Sequence, residues 1–174
     1  MMNTPKQLAC ILLLASSTQA LGDQNQALID QARMAAPSMV SAEATIVYQG
    51  KVLHQGTNGW TCMPETLPGD NSPICNDPTW MQMLQAVGSK APFETQGLGF
   101  SYMLGGDGGV SNSDPYHPDH RSAKDFIKEG PHLMLIVPRA ALEGITDDPH
   151  AGGPYVMWRD TPYAHIMIPV GARD

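Results

Sequence analysis

The chain has 174 residues, with 17 acidic and 10 basic side chains for a net charge of -7, 42% hydrophobic residues, 17 Gly and 15 Pro. That length fits one domain with a sizeable core, and the Gly and Pro content marks a loop-rich fold short of low-complexity disorder. The acidic balance lacks the basic footprint by which proteins hold nucleic acid or anionic lipid, so neither is an expected partner. Sulfur is the unusual element: three Cys, and 11 Met against 3 Phe, 3 Trp and 5 Tyr.

Residues 1–20 open with Lys6 and no acid, run through an apolar stretch at 8–15 and end in small residues up to Ala20. This is the pattern of a secretory signal peptide, and the apolar stretch is too short to span a bilayer. Cys10 is a poor lipidation site, because Gln7 stands where an aliphatic residue is wanted and the apolar run continues past the cysteine. No later run approaches membrane-spanning length, so the expected mature protein is soluble and periplasmic or secreted. Cleavage leaves Cys62 and Cys75 as the only thiols, and an oxidising compartment favours their pairing.

Residues 21–43 read as an N-terminal helix and linker, the helix spanning 23–36 and stopping at Pro37. From residue 44 to 174 the texture is that of one α+β domain. Strands are expected at 44–48, 51–54 and 60–62 as a meander, with Asn58-Gly59 the strongest hairpin signal. Asp77 and Pro78 then open a helix whose Trp80, Met83, Leu84 and Val87 recur at helical spacing, with Gly88 expected to close it. A strand follows at 98–104, in which Leu98, Phe100, Tyr102 and Leu104 alternate with smaller residues. A polar loop spans 105–121, and Ser122 to Asp125 resembles a capping box ahead of a short helix ending at Gly130-Pro131. The apolar run 132–137 suits a central strand, 140–143 a single helical turn, and 155–159 with 163–170 a C-terminal hairpin. Without a regular βαβ rhythm the expected sheet is mostly antiparallel, joined by short helices and long loops.

Two strands carry the same pattern, His132-Leu133-Met134 and His165-Ile166-Met167. Side chains alternate along a strand, so each His shares a face with its Met. If the strands are neighbours, imidazole nitrogen and thioether sulfur combine into a donor set that suits cuprous copper. Histidine nitrogens more than about 8 Å apart would rule out one shared ion at ordinary ligand distances. The same residues also read as packing, since Met fills irregular cores in a chain poor in Phe and Trp. The loop offers a second candidate, Asp114, His117, Asp119 and His120, with the two His at the i, i+3 spacing that zinc accepts. The oxygen-rich part of that loop lacks the EF-hand register for calcium.

No nucleophile elbow, HExxH, Walker loop or GxGxxG is present. A small hydrolase or isomerase using His132 or His165 as base, and a non-catalytic module binding another molecule through the 105–121 loop, therefore stand beside the metal reading. The stretches Gly56-Thr57-Asn58-Gly59-Trp60-Thr61-Cys62, Gly130-Pro131-His132-Leu133-Met134 and Thr161-Pro162-Tyr163-Ala164-His165-Ile166-Met167 resemble a family of uncharacterised bacterial exported proteins, over most of residues 44–170. The resemblance implies export and a bacterial source, and it supplies no activity, cofactor or catalytic residue.

Overall fold

A computed structural model describes residues 22–173 of the chain. The leader expected over residues 1–20 lies outside the described residues. Residues 22–33 form helix α1, and after Pro37 a single further turn follows, α2 (Ser38–Ser41). Ile29 and Ala32 of α1, with Ala35 and Ala36 just beyond it, are buried against Ala44, Ile46, Cys62 and Cys75, the small alanines allowing close approach to the sheet.

β1 (Thr45–Tyr48) and β2 (Lys51–His54) pair antiparallel around Gln49 and Gly50, which take φ of 48° and 75°, the positive values that a two-residue hairpin turn requires. The meander expected beyond them is not what forms. Asn58 donates to the Val40 carbonyl and accepts from the Trp60 amide, and the chain returns to the other side of β1, where β3 (Thr61–Met63) pairs parallel to it. β4 (Ile74–Asn76), absent from the sequence reading, closes the cysteine ring as an antiparallel partner of β3, with Cys62 directly opposite Cys75 and bonded to it.

α3 (Pro78–Ser89) begins as expected, the Asp77 carboxylate accepting from the Trp80 amide, but Lys90 rather than Gly88 takes the left-handed closing position, at φ 54°. In β5 (Gly99–Met103) the buried residues are Gly99, Ser101 and Met103, so the set of Leu98, Phe100 and Tyr102 does not face the α3 layer and Phe100 stays exposed. The cause is local: a Cβ on Gly99 would meet Thr79 and Ile136 side-chain atoms at 3.0 and 3.1 Å, and Ser101 Oγ donates to Asn76 Oδ1 at 2.6 Å. The helix expected after Ser122 is replaced by a 3-10 turn at His120–Ser122 and a short ladder of β6 (Val110–Ser111) with β7 (Phe126–Ile127). Asp125 does not cap a helix there, because its carboxylate accepts from Ser111 Oγ and the Ser113 amide.

β8 (His132–Ile136), β9 (Tyr155–Met157) and β10 (His165–Pro169) complete an eight-stranded sheet of order β2-β1-β3-β4-β5-β8-β10-β9, antiparallel at every contact except β1 with β3. The fold is thus α+β with one disulfide. One face of the central strands carries Ile74, Met103, Met134, Met157 and Met167 beneath α3, and the other is covered in part by α1 and in part by Leu142 with Val156, Ala164 and Ile166.

At the inner end of the central strands Glu129 is buried, and its carboxylate accepts from Arg173 (2.6 and 2.9 Å) and from the Tyr155 hydroxyl (2.8 Å). Burial, and the carboxylate it donates to, push the Tyr155 phenol well above its ordinary range. Gly130 permits this closure, since a Cβ there would overlap the Ala172 carbonyl oxygen at 1.8 Å. Replacing Arg173 with Ala leaves a sealed carboxylate without its cation, and the expected cost is about 3–5 kcal/mol in urea unfolding, partly recovered by adding Glu129→Gln. An unchanged midpoint for Arg173→Ala would contradict the arrangement. The Cys62→Ala, Cys75→Ala double variant is expected to lose about 3 kcal/mol through loop entropy, read from the same unfolding curves.

Candidate functional site

The sheet places His132, Met134, His165 and Met167 on one buried face. β8 and β10 are neighbours, and their register sets Met134 directly opposite Met167. Opposed residues on one face of an antiparallel pair have Cβ atoms about 4.5–5.5 Å apart, so these two thioethers form the centre of the group. The two histidines do not stand opposite each other there. Pro169, not His165, stands opposite His132, and His165 lies four positions earlier, a stagger of roughly 13 Å at the rise of an antiparallel strand.

A shared local device keeps each ring at its own end. His132 Nδ1 donates to the Gly130 carbonyl at 2.7 Å and His165 Nδ1 to the Tyr163 carbonyl at 2.9 Å, in both cases two residues back along the chain. Because β8 and β10 run in opposite directions, these tethers lie at opposite outer ends of the pair. The proton on Nδ1 leaves Nε2 as a bare lone pair, and among the described residues neither Nε2 has a hydrogen-bond partner, although the rings are 0% and 1% exposed. A buried acceptor without a partner is costly and calls for an explanation. Burial pushes His165 down to about 4, the Tyr163 carbonyl opposing this and His132 adding to it, so the ring is neutral at neutral pH.

Each histidine also faces a second methionine across the sheet: Met157 of β9 is opposite His165, and Met103 of β5 is opposite His132. These thioethers, with Met83 of α3, Met134 and Met167, line a cavity of about 230 Å3, which His165 also lines. Trp80 and Trp158 set their rings nearly perpendicular to the His165 imidazole, each at 5.1 Å between centroids. Trp158 sits at φ 54°, a left-handed conformation that is uncommon for a bulky residue and that clusters at functional positions.

The 105–121 loop forms part of the wall of this cavity. Trp158 donates from its amide to the Asn112 carbonyl (2.8 Å) and from Nε1 to the Ser111 carbonyl (3.0 Å). The Tyr116 hydroxyl lies 2.9 Å from that of Tyr163, which itself donates to the Ala91 carbonyl. Gly108, Gly109, Val110, Pro115 and His120 of the loop complete the wall, so one of the loop histidines joins the space that His165 lines. Asp107 reaches the same wall, and burial raises its carboxyl against the pull of His132 and of the Glu129 and Gly109 amides.

The other loop candidates are organised differently. The Nδ1 atoms of His117 and His120 accept from the Asp119 and Ser111 amides, which leaves Nε2 protonated, and the Asp114 and Asp119 carboxylates accept from the Tyr116 and Arg121 amides. The two imidazole centroids are 6.2 Å apart. Among the described residues no three His, Cys, Asp or Glu side chains form a group able to hold a metal ion. Nor does any carboxylate among them hydrogen-bond to His132 or His165, whose Nδ1 atoms are committed to carbonyls, so the orienting acid of a His base is missing from both rings.

The sequence did not point to Met83, Met103 or Met157 as companions of the histidines, since none lies near one in the chain. Comparison with protein-family models, with curated proteins and with solved structures returned no match.

The tautomers are directly observable. Long-range 1H–15N spectra are expected to show protonated Nδ1 and bare Nε2 for His132 and His165, and the reverse for His117 and His120. Since burial depresses the His165 value from 6.5 to about 4, the folded state gains stability from the neutral ring above the ordinary value and loses it as pH falls from 6.5 towards 4. His165→Gln is expected to flatten the stability profile over that window, and a His165 that titrates near 6.5 in the folded protein would contradict the burial.

Proposed function

We propose that this is an exported protein that binds a soft monovalent metal ion, cuprous copper, at the His165 end of the methionine-lined cavity. His165 Nε2 is the nitrogen donor, and Met157 and Met167 are the sulfur donors. The observation that carries the reading is the bare, buried Nε2 of His165 on the wall of a cavity lined with thioethers. The Nδ1 tether to a main-chain carbonyl is the outer hydrogen bond that metal-ligating histidines use to fix tautomer and ring orientation. Thioether sulfur selects cuprous copper over hard cations, which prefer oxygen donors.

Export is supported by the leader pattern at residues 1–20, by the resemblance to bacterial exported proteins and by the disulfide, which suits an oxidising compartment. No helix among the described residues is long and apolar enough to cross a membrane. In that setting thioethers have an advantage over thiols as soft ligands, because they do not oxidise to disulfides.

The test is competition of the disulfide-bonded protein, with ascorbate keeping the copper cuprous, against a chromophoric cuprous chelator, followed in parallel by Trp80 and Trp158 fluorescence. Wild type is expected to withdraw copper and to quench, and Met167→Leu, which conserves volume, to weaken binding at least about tenfold, or 1.4 kcal/mol. His165→Gln is expected to lose the ion at this end. Failure of the folded wild type to compete, or wild-type affinity in both variants, would overturn the reading.

A further inference from the structure

We infer that the sheet carries a second station of the same kind, with His132 Nε2, Met103 and Met134 as donors, so that the protein holds two soft ions. This rests on the reading of the His165 end. The two ends are built alike. Each histidine opens its strand, tethers Nδ1 to the carbonyl two residues back and leaves Nε2 bare and buried. Each has a methionine two positions on along its own strand and another directly across on the outer neighbour: Met134 and Met103 for His132, Met167 and Met157 for His165.

The antiparallel register relates the two sets by an approximate twofold that passes between Met134 and Met167. A single shared ion does not explain this arrangement, because the two histidines occupy strand positions staggered by roughly 13 Å and their tethers draw the rings outward, away from the methionine pair. It also leaves His132 Nε2 without a partner at 0% exposure. Two ions satisfy both lone pairs. The ends differ in two respects: His165 lines the methionine cavity between two indoles, whereas His132 is not on the cavity wall and lies within the electrostatic reach of the Asp107 carboxyl. The two ends therefore offer an ion different surroundings, and the two stations are not expected to fill with equal affinity.

Silver(I), which does not change oxidation state in air, is the probe, and native mass spectrometry of the folded protein counts the ions. Wild type is expected to carry two, His132→Gln one and His165→Gln one, with Met103→Leu as the conservative variant that lowers occupancy at the His132 end while keeping core volume. One ion in wild type that survives His132→Gln and is lost in His165→Gln would overturn the second station and leave the first intact. One ion lost in either variant would also overturn it, in favour of a shared site. No ion in wild type would overturn both readings.

Discussion

The opposition of Met134 and Met167 across β8 and β10 is the constraint on which the buried sulfur face depends. A slip of one residue in that register would turn the His and Met of one strand away from α3 and towards the opposite face, separating them from those of the other strand. With the register as it is, every residue that lines the methionine cavity from the sheet is placed by strand alternation alone. Met103 and Met157 then join from the outer strands without any further requirement on the sequence.

This face carries an energetic cost that ordinary packing does not remove. Leu or Ile would fill the same volume without polar atoms, yet two imidazoles sit here with one nitrogen each satisfied and one not. Several elements hold them in place: the carbonyl tethers, the two indoles against His165, the left-handed Trp158 that binds the loop, and the Glu129, Tyr155 and Arg173 network, in which Glu129 adjoins the Gly130 that tethers His132. Rigid support around an unsatisfied nitrogen is what a preorganised ligand site requires.

Much of the architecture was legible because it depends on local chemistry. The Asp77 cap, the strands of the His-x-Met patterns, the cysteine pair and the C-terminal hairpin all follow from neighbours in the chain. What failed depended on partners distant in sequence. β4 is three residues between prolines and polar residues, and it exists because Cys75 is held opposite Cys62. The capping box at Ser122 gave way because Asp125 serves Ser111 and Ser113 instead. In β5 the larger residues point away from α3 because Thr79 and Ile136 leave no room for a side chain at Gly99. At the candidate site, the common face of each His and Met was readable from alternation, whereas the stagger that separates the histidines is a property of strand pairing. His120 and His165 share a wall only because the loop folds back over the sheet.

The central claim is that thioether sulfur and histidine nitrogen on this face bind a soft cation together. X-ray absorption at the copper edge of the cuprous-loaded protein tests it most directly. The account predicts a first shell dominated by sulfur with a nitrogen contribution from imidazole, the sulfur amplitude falling in Met167→Leu. A shell of nitrogen and oxygen alone, unaffected by that substitution, would contradict it.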